Sequence, residues 1–183
     1  MSKSLQGYLL IAHPNLKDRM FTRSVVLMIE DADNGSVGVV LNKPSNFPFQ
    51  SFLESKGCPA ITDEVIHCGG PVNGQAVTLV HEDDWYSGNT YLLQRGLAAS
   101  SDEFMIEKIG TGNAPRQYRV FTGLAVWSKG QLQAEINGTF PYQNYNGWLT
   151  MPADRAIVFQ YDGEKQWEKA LEQCTKETIS AWF

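Results

Sequence analysis

Apolar residues in this chain gather in short β-branched runs separated by glycine, proline and acidic turns, a rhythm of strands more than of long helices. Gly7–Ala12 reads as a strand that His13-Pro14 turns away. Ser24–Glu30 (SVVLMIE) and Ser36–Asn42 (SVGVVLN) follow, with Asp31-Ala32-Asp33-Asn34-Gly35 between them. Asn34-Gly35 is a strong hairpin signal, because both residues tolerate the positive φ of a type I′ turn. The second strand ends at Lys43-Pro44, since proline cannot continue a ladder. Val65–Cys68 runs into the Gly69-Gly70-Pro71 corner, and Gln75–His81 (QAVTLVH) is another strand; Thr90–Leu93 and Leu97–Ala99 are weaker ones. Gln117–Trp127 (QYRVFTGLAVW) is long and apolar enough to sit centrally, buried on both faces. Trp148–Met151 is extended, and Ala156–Tyr161 (AIVFQY) reads as the last strand.

Helical periodicity is confined to short stretches. Phe49–Lys56 places Phe49, Phe52 and Leu53 on one face, with Gly57 as a stop. Ser100 with Glu103, and Ser128 with Gln131, have capping-box spacing and open two further helices. The first runs through Phe104, Ile106 and Ile109 to Gly110-Thr111-Gly112; the second buries Leu132 and Ile136. Asp162 caps a final helix with Trp167, Ala170, Leu171 and Cys174 at amphipathic spacing. An irregular, aromatic loop spans Asn137–Gly147. The mixture, without regular βα alternation, predicts an α+β fold: one compact domain over 1–183, a mixed, largely antiparallel sheet or partly closed barrel with helices packed around it.

Composition narrows the function classes. The 183 residues, 43% of them hydrophobic, are ample for one core. Twenty acids against fifteen bases, a net charge of −5, argue against a dominant phosphate-backbone binder. No apolar run is long enough for a transmembrane helix, and Tyr8–Ala12 is too short for a signal-peptide core, so no membrane role is expected. Three scattered cysteines, Cys58, Cys68 and Cys174, lack disulfide-framework spacing and fit a reduced cytoplasm.

The usual chemical motifs are incomplete. Ser36 sits in Gly35-Ser36-Val37-Gly38, but Asn34 takes the first glycine position of a nucleophile elbow, and the segment reads as a hairpin. Gly110-x-Gly112 follows a helix and lacks the third glycine of a dinucleotide fingerprint. Cys58, His67, Cys68 and His81 are the only candidate metal cluster. Neighbours on a strand point to opposite faces, which reads Cys68 as a core residue and His67 as exposed. No catalytic residue, metal ligand or cofactor is therefore assigned. His81, beside Glu82-Asp83-Asp84, reads as a structural histidine more readily than as a general base. Trp85, Trp127, Trp148 and Trp167 could stack nucleobases, but the acidic net charge and apolar neighbours favour core packing for most of them. The candidate ligand or partner surface is polar and lies at strand ends: Arg23, Ser24, Asn42, Lys43, Gly69, Gly70 and Pro71, with His81. An arginine beside glycine-exposed amides suits an anion or carboxylate; alternatively Arg23 pairs with Glu30 or Asp18.

A series of stretches runs in order along the chain: Gly7–Ala12 with Pro14 and Leu16, Asp18-x-x-Phe21-x-Arg23-Ser24-Val25-Val26, and Gly35-x-x-Gly38-Val39-Val40-Leu41-Asn42-Lys43-Pro44. Gly69-Gly70-Pro71-Val72, the strand ending in His81, Gly123-x-Ala125-x-Trp127-x-x-Gly130-Gln131-Leu132-x-x-Glu135, Trp148-Leu149-Thr150, Pro152-Ala153-Asp154 and the Trp167 helix continue it. Together these stretches resemble the bacterial YqgE/AlgH family. The resemblance implies a compact cytosolic bacterial protein mixing sheet and helices. It also implies a regulatory role, since the family is named for a proposed part in controlling alginate synthesis; it carries no catalytic residue. Three features depart from the family pattern: Asp31 where many members have histidine, Leu124 and Val126 before the tryptophan, and a longer Gly138–Asn146 stretch with Phe140, Tyr142 and Tyr145. The expected function is a non-enzymatic regulatory or interaction protein, with an unknown protein or small molecule as partner and transcription touched only indirectly. The alternative is a small-molecule or anion binder, or an enzyme, using the polar strand-end surface, and the aromatic loop is a candidate docking element.

Overall fold

A computed structural model describes residues 3–145 and 147–183; Asn146, at the end of the aromatic loop, lies outside them. The elements run β1 (Tyr8–Ala12), β2 (Val25–Ala32), β3 (Gly35–Val40), β4 (Pro44–Pro48), α1 (Phe49–Ser55), β5 (Val65–Cys68) and β6 (Val72–Glu82). Then come β7 (Thr90–Gln94), β8 (Leu97–Ser100), α2 (Glu103–Gly110), β9 (Tyr118–Ser128), α3 (Gln131–Asn137), β10 (Trp148–Pro152), α4 (Arg155–Gln160) and α5 (Gly163–Ser180).

The strands form one sheet in the order β10-β1-β2-β3-β9-β6-β8-β7, antiparallel at each of these junctions. The long β9 is its spine. On one side it pairs with β6; on the other its second half pairs with β3 and its first half with β5, which runs parallel to it. β4 adds an edge beyond β5, where its terminal prolines cost no ladder bond. The sheet curls until its ends approach: a Cβ on Gly7, just before β1, would lie 2.0 Å from the Leu93 carbonyl oxygen of β7. With a φ of +76°, only glycine fits there. The result is the α+β half-barrel with helices around it that the sequence predicts, in a single domain.

Two apolar layers hold it. The larger packs Leu9, Ile11, Leu27, Val39, Leu41 and Phe121 with α3, α4 and α5, and includes Trp127, Trp148 and Trp167. The smaller places Phe49 and Leu53 of α1 and Met105, Ile106 and Ile109 of α2 over Ile66, Leu79, Val120 and Trp85. Each such fully buried side chain contributes about 1.5–3 kcal/mol.

Several local expectations need correction. Ala156–Tyr161 is mostly helix, not strand: Asp154 caps α4 by accepting the Ile157 amide at 3.1 Å, and Ile157 and Val158 are buried. The cap and the packing outweigh β-branched propensity. The β2–β3 hairpin forms, but its pairing closes at Ala32↔Gly35 around Asp33-Asn34, neither of which takes a positive φ. The type I′ geometry occurs instead at Arg95-Gly96, between β7 and β8, with φ of 55° and 78°. Asp102 rather than Ser100 caps α2, accepting from the Met105 amide. Gly130 occupies the α3 cap, although Gln131 still reaches back to the Ser128 amide at 3.1 Å. β9 is buried at Arg119–Phe121, whereas Val126 is 45% exposed.

Candidate functional site

Of the polar strand-end residues, Arg23, Ser24, Asn42 and Lys43 converge at one corner, where β2 begins and the chain leaves β3. Asn42 is buried and fully bonded: its Oδ1 accepts from the Val25 amide at 2.9 Å, and its Nδ2 donates to the carbonyls of Arg23 (2.8 Å) and Gly163 (3.0 Å). Ser24 Oγ is buried and has no hydrogen-bond partner among the described residues. Arg23, at a positive φ of 51°, pairs with Glu164 of α5, not with Glu30 or Asp18, and lies 5.6 Å from the Trp167 ring centre. Lys43 donates to the Thr22 carbonyl at 3.1 Å, and burial lowers its pKa.

The glycine corner is spent on the sheet. Gly69 donates to Thr122 O and accepts from the Val40 amide, both at 2.8 Å, and a Cβ on Gly70 would stand 2.2 Å from the Leu124 carbonyl carbon. Pro71 is exposed beyond it. His81 belongs to another network: its Nδ1 lies 2.7 Å from Glu82 O and its Nε2 2.8 Å from Ser100 Oγ. Since the carbonyl can only accept, Nδ1 carries the proton and Nε2 accepts from Ser100. Ser36 Oγ donates to Asp31 Oδ1 at 2.6 Å, and Asp31 Oδ2 accepts from the Leu5 amide at 2.7 Å, so Asp31 anchors the N-terminal segment.

The cavity richest in charge lies elsewhere, where β5, the start of β9 and the α4–α5 junction meet. It encloses about 370 Å³ and is lined by Glu64, His67, Arg116, Tyr118, Arg119 and Asp162, among others. Parallel pairing sets His67 opposite Phe121 and turns its ring inward; it is 2% exposed, while Cys68 faces out, reversing the expected assignment. His67 Nε2 is 2.9 Å from Asp162 Oδ2. Arg119 Nη1 donates to Leu41 O (3.3 Å) and Gln166 Oε1 (3.1 Å) and lies 3.7 Å from Asp162 Oδ1; Nη2 bonds the Tyr161 carbonyl.

Asp162 also caps α5, accepting from the Gly163 amide. Burial alone would raise its pKa, but the His67 hydrogen bond, the charges of His67 and Arg119 and the Gly163 amide bring it below the ordinary value. Glu64 goes the other way. Burial raises its pKa against the opposing pull of Arg119 and His67, and its carboxylate has no hydrogen-bond or ion-pair partner among the described residues. Two carboxyls driven apart in one cleft mark a candidate binding site. Among the described residues no three His, Cys, Asp or Glu are placed to hold a metal, and no helix is long and apolar enough to cross a membrane.

In the sequence Asp162 reads as a helix cap alone, and no motif marks Glu64 or Arg119. The available signal was Arg119 itself, a guanidinium inside a strand read as buried, because a buried charge requires a partner.

Comparison with known proteins fits this architecture. A family model described as AlgH-like matches residues 9–178. The chain belongs to the AlgH-like family. UPF0301 proteins from Polaromonas sp. (strain JS666) and Shewanella sp. (strain ANA-3) are 33% and 34% identical to it, each over 92% of this chain and 87% and 90% of their own. The solution structure of the AlgH protein from Pseudomonas aeruginosa is similar with a TM-score of 0.73 at 30% identity, covering 93% of this chain and 88% of that one. A crystal structure from Corynebacterium diphtheriae shares the fold at 22% identity, with a TM-score of 0.73 over 94% and 88% of the two chains. The AlgH-like motif around Trp127 and Glu135 is structural here: Glu135 accepts from the indoles of Trp127 (3.0 Å) and Trp148 (2.9 Å) and from Gln131 (3.0 Å).

Proposed function

We propose that this AlgH-like chain is a non-enzymatic regulatory or interaction protein of the cytoplasm, reaching transcription only through a partner. One observation carries the reading. Asn42, His67, His81 and Arg119, the buried polar side chains best suited to chemistry, are each bonded to backbone carbonyls or to neighbours that hold the fold. What faces outward is Arg23 with half-buried Lys43 at one corner, and Pro71 beyond the glycine corner, a surface offered to a partner. Direct DNA contact is disfavoured by α5, whose lysines 165, 169 and 176 pair with Glu168 and Glu172 on the same helix. The test is co-purification of a partner with the wild-type chain and its loss with the Arg23→Ala/Lys43→Ala double variant at an unchanged melting temperature. A sequence-specific, salt-sensitive mobility shift with DNA would overturn the reading.

A second reading, a small-molecule binder, is favoured by the cleft of about 370 Å³ at Glu64, His67, Arg119 and Asp162. A thermal-shift screen of metabolites and nucleotides separates the two, since a ligand that binds only the folded state stabilises it by mass action.

A further inference from the structure

We propose that the cleft between β5, β9 and the α4–α5 junction takes a small ligand bearing an ammonium or guanidinium group, with Glu64 as its counter-ion. This deepens the small-molecule reading and rests on it. The argument starts from which charges in the cleft are already spent. Asp162 is claimed by His67 at 2.9 Å, by Arg119 at 3.7 Å and by the Gly163 amide at 2.7 Å. Arg119 is further tied to Leu41, Tyr161 and Gln166. Arg116, at the rim, leans away toward Glu82 (3.4 Å) and Asp84 (3.3 Å). Two lining carboxylates remain without a hydrogen-bond or ion-pair partner among the described residues: Asp63, which is exposed at the mouth, and Glu64, which is half-buried.

Tyr118 does not supply one, because its hydroxyl lies 3.0 Å from Thr62 Oγ1. Glu64 is half-buried in the cleft and keeps access to water, and a cationic donor would replace that water with a charge-assisted hydrogen bond. The groups facing Glu64 carry both signs. Arg119 and His67 favour its ionised form, Asp162 and Asp63 oppose it, and burial decides for a raised pKa. An arriving cation would favour the ionised carboxylate.

The probes are putrescine, its uncharged diol analogue and succinate, followed by NMR shifts at the cleft residues and by calorimetry. Putrescine should bind and shift the cleft residues. The diol and succinate should not bind, and Glu64→Gln should weaken putrescine at least about tenfold while keeping the wild-type melting temperature. If all three probes bind alike, or the variant binds putrescine normally, the charge assignment is overturned and the cleft reading survives. If none of the probes shifts any cleft residue, both are overturned.

Discussion

Asn42 shows how a polar residue at a strand end becomes part of the frame. Its amide answers three separate backbone groups, from Val25, Arg23 and Gly163, so one side chain ties the start of β2 to the start of α5. Asn42→Asp replaces the donor that serves two carbonyls with a second acceptor. It should cost about 3 kcal/mol or more, read from the urea midpoint; a cost under about 1 kcal/mol would mean that the clamp is dispensable. His81 makes a different prediction. Burial lowers its pKa despite the opposing Glu82 carbonyl and the charges of Asp83 and Asp84. The unfolded chain therefore takes up that proton first. The stability due to neutral His81 is complete above the unfolded value of about 6.5 and is lost as pH falls through the lower folded value. An NMR titration should find the His81 ring protonating below that unfolded value, and protonation at or above it would refute the argument. Such roles escape a sequence because Asn42 and His81 look the same whether their partners are backbone or ligand.

Among the elements, those whose local chemistry and tertiary setting agree were legible: the β2–β3 hairpin, the early amphipathic helix and the long β9. The ones that were not legible were decided by partners far along the chain. α4 has a strand-like composition but folds as a helix because Asp154 caps it and Ile157 and Val158 fill a cavity beside α5. Parallel β5 could not be foreseen either, and its direction turns His67 inward to face Asp162. The Gly69-Gly70 corner reads as an open anion nest in sequence, yet it is where β5 presses against β9. Gly70→Ala should therefore be damaging. Its Cβ would fall within 2.4 Å of Leu124 and Ala125 backbone atoms, at a φ of +150°. A loss of about 3 kcal/mol or more is expected. Gly74→Ala, where nothing lies within 4 Å, is the matched control and should change stability by less than about 0.5 kcal/mol. Equal melting temperatures for the two would show that the corner tolerates a side chain.

At the scale of the whole molecule, the aromatic loop after α3 divides into a part that belongs to the core and a part that does not. Tyr145 packs on the larger apolar layer, meets Tyr142 edge-on and donates to Asp18 Oδ2 at 3.3 Å. Burial, Glu135 and Asp18 together push its phenol pKa upward, so the hydroxyl stays protonated and the bond to Asp18 persists across the neutral range. Phe140 is 82% exposed. Removing the whole loop would thus strip core contacts along with any docking surface and leave the two roles entangled. Point substitutions separate them. Tyr145→Ala should lower stability by about 2 kcal/mol or more. Phe140→Ser should stay within about 0.5 kcal/mol while weakening capture of a protein partner, because exposed aromatics contribute disproportionately to interfaces. Capture undiminished by Phe140→Ser would remove the loop from the partner surface and leave the corner of Arg23 and Lys43 to carry it.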